Sequence, residues 1–185
     1  IFFEQINKRI TRWVKYFFFR KQFLAEAALS QFSLECGYIN SGRILVDRAI
    51  AEVLRHTGAP AAAMYENVGE DYRCLQQRGN RIFPKRLAMD DPACVRLRAN
   101  LTETRLDELD SALGADGLAF PVALRGGVIE VLVLARRPGE LYTPKERELL
   151  LRLTHQVGTS LHAMYVSRTH AFVTEVADGM LPSSE

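Results

Sequence analysis

The 185-residue sequence holds only three cysteines, Cys36, Cys74 and Cys94, with no C-x-x-C spacing among them. An odd, scattered set excludes a disulfide framework and fits a reducing compartment. No run approaches the roughly 18 apolar residues that span a bilayer, and no apolar segment precedes a small-residue cleavage site. The chain as given is therefore expected to be soluble and unexported. Glycine-rich phosphate loops, G-x-S-x-G, H-E-x-x-H and kinase signatures are missing, so any kinase chemistry would have to lie outside this chain. Of the four histidines, His56, His155, His162 and His170, the middle two stand seven apart on one expected helix. That is too far to chelate one metal as an i, i+4 pair does. No catalytic set and no metal site is expected, and no internal repeat or low-complexity tract is visible.

What is present is an ordinary globular composition, 48% hydrophobic and 25% charged, enough for one domain with a real core and some helical extension. The formal net charge of +2 is unevenly spread. Residues 1–24 carry Lys8, Arg9, Arg12, Lys15, Arg20 and Lys21 against Glu4 alone, a net +5, which leaves the remainder at −3. A nucleic-acid binder would spread its bases over a folded face, so no nucleic acid is expected as a partner. A basic leading segment rich in Phe points instead to a membrane surface or a partner helix. The chain begins Ile1-Phe2-Phe3 without an initiator Met and is expected to be a piece of a longer protein.

In this leading segment Phe3, Ile6, Ile10, Trp13, Phe17 and Leu24 recur at three- and four-residue spacing. They write one helical stripe, the seam of a coiled coil, with Arg20 as its weak point. Helix continues from Ala25 to a break at Gly37 and Asn40-Ser41-Gly42. Arg43 to Thr57 is then amphipathic through Ile44, Leu45, Ala49, Ile50, Val53 and Leu54, and Gly58 ends it. Ala61 to Glu66 and Tyr72 to Gln77 read as a strand hairpin. Residues 80–117 are the least regular, although Asp90-Asp91-Pro92 is a good helix start. Leu118 to Leu124 and Val128 to Ala135 are apolar strands joined at Arg125-Gly126-Gly127. Thr143, Pro144 and Glu146 form a capping box that opens a last helix. This helix carries Leu149, Leu150, Leu153, Val157, Leu161, Met164 and Tyr165 and runs on toward Phe172 and Val176. At roughly 30 residues it would extend about 45 Å, further than the domain's own core needs.

The stretch from Arg43 to Met164 resembles a GAF domain, the ligand-sensing relative of the PAS fold. The resemblance is carried by Thr57-Gly58-Ala59 running into a strand, Asp90-Asp91-Pro92, Leu118 to Val122, Arg125 to Leu134, and Gly139 to Leu150. It implies an α+β fold, with a GAF/PAS-like central antiparallel sheet, helices on one face, and long N- and C-terminal helices flanking it. It further implies a juxtamembrane helix and connector over 1–42, a sensory domain over 43–166 and a signalling extension over 167–185. The segment Val14 to Phe23 is similar to the connector that precedes GAF domains in bacterial membrane-bound histidine kinases, although an acid often found near Lys15 is missing. If so, residues 8–21 lie at the inner face of the cytoplasmic membrane, with an output domain downstream. The two terminal helices would form a homodimer through Ile6, Ile10, Trp13, Phe17, Leu24, Leu153, Val157, Leu161 and Met164.

The resemblance places a ligand pocket between the sheet and residues 80–117, walled by Tyr65, Tyr72, Phe83, Met89, Phe120 and Val122, with Arg86 and Asp91 as polar contacts. The same aromatics read equally well as core. Glu130 stands where family members usually have Gly. It is expected to be solvated or paired with Arg125 or Arg136, the alternative being contact with a ligand. No cofactor is expected: a Cys-His pair for a bilin and the cyclic-nucleotide motif are absent, and His56 closes a helix outside the pocket. The chain is thus expected to be a non-catalytic sensory and dimerisation module of a bacterial signalling protein that binds a small unidentified molecule or none. Two alternatives remain open. One is a methionine sulfoxide reductase-like enzyme using Cys74 and Cys94, although the family's catalytic cysteine sequence is missing. The other is an effector-binding domain of a transcription regulator.

Overall fold

A computed structural model describes the backbone over residues 23–139 and 141–179, and the side chains up to residue 167. Helix α1 covers 23–35 and ends in a 3-10 turn, Cys36–Tyr38. Helix α2, Gly42–Thr57, leads through Gly58 into strands β1, Ala61–Asn67, and β2, Asp71–Gly79. Gly58 adopts φ 68° and returns its N–H to the Leu54 carbonyl at 3.1 Å, the left-handed stop that glycine enters at no steric cost. The segment after β2 is not structureless. It holds β3, Arg86–Ala88, α3, Pro92–Asn100, and β4, Thr104–Arg105, elements too short to write a period in the sequence. Strands β5, Leu118–Leu124, and β6, Gly127–Leu134, follow, joined by a two-residue turn with positive φ at Arg125 and Gly126. Helix α4, Pro144–Gly179, closes the described chain.

All strand pairs are antiparallel, in the order β3-β2-β1-β6-β5-β4. The central strands β1 and β6 are buried on both faces, which is why Ala61 to Tyr65 and Val131 to Leu134 read as continuous apolar runs. Period-two alternation then divides the core. Met64, Phe120, Val122, Leu132 and Leu134 face α1, α2 and α4, while Ala63, Tyr65, Ala119, Val131 and Val133 face α3 and the segment around it. Leu29, Phe32 and Cys36 belong to the first of these cores, so the helix before residue 43 is packed into the domain.

Helices α1 and α4 run side by side in the same direction. Glu26, early in α1, pairs with Lys145 at the start of α4, while Ser33, later in α1, shares a cleft with Leu151, Arg152 and His155. The capping box forms as expected: the Thr143 N–H donates to Glu146 Oε2 at 2.7 Å and the Glu146 N–H to Thr143 Oγ1 at 3.2 Å. Further along, Gly158 lets α4 press on β5. A Cβ there would stand 3.0 Å from Val122 Cγ1 and 3.3 Å from the Ala123 carbonyl oxygen. Among the described residues no helix is long and apolar enough to cross a membrane.

Candidate functional site

The residues expected to wall one pocket are divided between the two faces of the sheet. Tyr65, Tyr72 and Phe83 are fully buried on the α3 side as core. The Tyr65 hydroxyl donates to the Pro84 carbonyl at 2.8 Å and that of Tyr72 to the Val128 carbonyl at 3.5 Å. Met89 packs partly buried against this core, and its carbonyl accepts from Arg98 at 2.7 Å. Phe120 and Val122 lie on the opposite face, because side chains of successive strand residues alternate. Arg86 is exposed and pairs with Asp71 at 3.1 Å. Asp91 is buried and saturated: it caps α3 by accepting from the Ala93 N–H at 2.9 Å, and also accepts from Ser111 Oγ at 2.8 Å and the Ala112 N–H at 2.9 Å. Its three partners leave it a structural residue.

Glu130 departs most from expectation. It pairs with neither Arg125 nor Arg136; only 4% of its surface is exposed, and its Oε2 has no hydrogen-bond partner. On the neighbouring strand Glu66 stands directly opposite. Burial, reinforced by the Glu66 charge, pushes the Glu130 carboxyl from its ordinary 4.5 up to about 8. The residue lies in the helix-bearing face and lines a cleft of about 680 Å³ between α2, α4 and the β1–β2 hairpin. Ile44, 55% exposed, forms part of the cleft wall, with Leu75, Leu161 and Met164. Ile44 thus stays outside the core that Leu45, Ala49, Ile50 and Val53 of the same helix join. Glu66 is held from two sides, by Arg73 at 3.0 Å and by the Tyr165 hydroxyl at 3.3 Å. Asp47, at the rim, accepts from Gln76 at 2.9 Å and from Arg78. Glu66 was not legible as a site residue, because only strand register places it beside Glu130.

The expected dimer stripe is also redistributed. Ile6, Ile10, Trp13 and Phe17 lie outside the described residues. Leu153, Val157 and Leu161 are buried in the chain's own core, and Met164 packs against it. Leu153, Val157 and Leu161 are thus taken up by the chain's own core, whereas Met164 stays partly exposed. Leu24 is exposed, at 59%, and with Ala27, Gln31 and Leu34 it forms an outward-facing row on α1. Leu34 is 71% exposed. The spacing 24, 27, 31, 34 continues the upstream 3, 6, 10, 13, 17, 20 without a break in register. Following the period past Leu24 in the sequence finds this row.

The three cysteines are free thiols. Burial pushes Cys94 up to about 12 and Cys36 to about 11, and it raises Cys74 as well. A sulfoxide-reducing cysteine needs the opposite, a readily formed thiolate. Among the described residues no group of His, Cys, Asp and Glu is arranged to hold a metal. His56 bonds Glu52 on its own helix at 3.0 Å.

No protein-family model and no curated protein matches the sequence. Solved structures do match. Free methionine-R-sulfoxide reductase from Neisseria meningitidis superposes with a TM-score of 0.68 at 13% identity, over 80% of this chain and 93% of that one. The GAF domain of an Acinetobacter phosphoenolpyruvate-protein phosphotransferase gives 0.64 at 14% identity, over 76% and 93%. The GAF domain of a protein described as a sensor histidine kinase, from Pseudomonas syringae pv. tomato, gives 0.64 at 12% identity, over 87% and 99%. The superpositions cover most of this chain and nearly all of each matched chain, and the chain has the GAF fold.

Proposed function

We propose that the chain is a non-catalytic sensory module of a membrane-tethered signalling protein, that it dimerises through α1, and that it relays a signal to an output domain beyond α4. The observation that carries this reading is the outward row Leu24, Ala27, Gln31 and Leu34, exposed in the single chain and in register with the apolar stripe of residues 3–17. A long, exposed row of this spacing is stabilised when a second copy covers it. Because α1 and α4 run parallel, a two-fold axis along α1 sets the two exit helices in the same direction. The six bases of residues 8–21 fit an anionic cytoplasmic leaflet on the entry side. A fold shared with a sensor kinase's GAF domain supports a signalling role. The raised thiols weigh against reductase chemistry, although the reductase superposes with the higher TM-score, 0.68 against 0.64.

Sedimentation equilibrium at tens of micromolar tests the reading. The chain is expected to sediment as a dimer, and Leu24→Glu with Leu34→Glu as a monomer with unchanged circular dichroism, since both side chains are exposed. A monomeric wild-type chain would overturn it.

A further inference from the structure

The Glu130 cleft lies on the helix-bearing face, away from the α3 side where the sequence reading placed a pocket. Its lining includes an acid, Glu130, 4% exposed, whose occluded Oε2 makes no hydrogen bond. Buried polar groups in folded proteins are normally satisfied, and an unsatisfied one facing a cavity is a place where a ligand group completes the bonding. The walls around it are apolar, contributed by Ile44, Leu75, Leu161 and Met164, and the second acid, Glu66, adds negative potential from the adjacent strand. We propose that this cleft binds a small organic cation, a protonated amine on an apolar body, with its ammonium hydrogen-bonded to Glu130 and its body against the aliphatic wall.

The chemistry discriminates strongly. A carboxylate ligand would face Glu130 and Glu66 with Arg43 as the opposing cation, and a neutral isostere supplies no charge to compensate an ionised Glu130. An ammonium supplies the missing donors and compensates the buried charge. Glu130 retains its proton to about pH 8 in the empty cleft, so binding an ammonium near neutrality displaces that proton to solvent. The affinity for the ammonium therefore rises with pH until Glu130 is ionised. The other charged or titratable groups facing the cleft are Glu66 from β1, Arg43 and Asp47 from α2, and Tyr165 from α4; Glu66 is held by Arg73, and Asp47 by Arg78. The cleft reaches Leu161, Met164 and Tyr165, where α4 leaves the sheet, so an occupant would bear directly on the exit helix. That consequence rests on the sensory reading; the binding itself does not.

Calorimetric titration of the full chain with phenethylamine, and with phenethyl alcohol and hydrocinnamate as neutral and anionic isosteres, tests the proposal. Phenethylamine is expected to bind with a submillimolar Kd, at least about tenfold tighter than either isostere, and to release protons when phosphate and Tris buffers are compared. Glu130→Gln, which keeps the side-chain shape, is expected to weaken the amine about tenfold or more. Leu75→Trp, at the half-exposed rim, should block it by filling the cleft. Isosteres that equal the amine, an unaffected Glu130→Gln chain, or no heat from the amine at millimolar concentration would each overturn the proposal. Amine binding to a chain that sediments as a monomer would keep the site and overturn the dimeric relay; a dimer indifferent to the amine would do the reverse.

Discussion

Glu130 weakens the fold that carries it, and the sign of the effect follows from its raised carboxyl. In the unfolded chain this carboxyl loses its proton near 4.5, whereas in the folded chain it keeps it to about 8. Across that interval the folded state binds more protons than the unfolded one, so stability is full below about 4.5 and falls as pH rises toward 8. Glu130→Gln removes the titration. It is expected to be more stable than wild type by about 1–3 kcal/mol near pH 7.5 and nearly equal to it near pH 4.5, as read from urea midpoints. A constant difference at both pH values would contradict the burial argument. Asp91 shows the opposite economy at the same scale. Its helix-capping role is written locally in Asp91-Pro92, but Ser111 and Ala112, which saturate it, are twenty residues away in sequence. The cap is therefore legible in the sequence, whereas the distant partners that occupy its carboxylate are not.

At the scale of elements, local signals were legible and long-range ones were not. The Thr143–Glu146 capping box needs only four adjacent residues. Arg137 has no such pattern, yet it ties three elements together. Its guanidinium grips Glu146 at 2.8 and 2.9 Å, donates to the Thr57 carbonyl at the end of α2 at 2.8 Å and to Leu141 at 2.8 Å, and stacks 4.5 Å from the Tyr142 ring. This pair is largely buried and bidentate, so it is not a surface pair of negligible worth. Arg137→Ala, which would leave Glu146 buried without its cation, is expected to cost about 3 kcal/mol in chemical denaturation. Lysine there should recover less than half of that, because it cannot reproduce the fork. Recovery of full stability by lysine would show that charge alone matters. The same limit explains the strands: apolar runs announced β1, β5 and β6, whereas β3 and β4 are too short to be announced by anything but their partners.

For the whole molecule, periodicity located α4 and the described stretch of helix α1, but not which face of each is spent inward. The stripe Leu153, Val157 and Leu161 is indistinguishable in sequence from an interface seam, and only packing against Phe120, Val122 and Leu132 identifies it as core. With that face consumed, the exposed row on α1 becomes the surface on which a second copy would sit, and the cleft beside α4 becomes the place where a ligand would reach the exit helix. The most direct test of a parallel dimer built on α1 is cross-linking at Gln31→Cys, in the middle of the row. A parallel, in-register seam brings the two introduced thiols face to face, so mild oxidation is expected to give a covalent dimer rapidly. Ile82→Cys, 91% exposed on the β2–β3 connection, serves as a control for random collision and is expected to stay monomeric. Rapid dimer from Gln31→Cys alone is the predicted result. Failure of Gln31→Cys to cross-link, or equal cross-linking at both positions, would contradict the account.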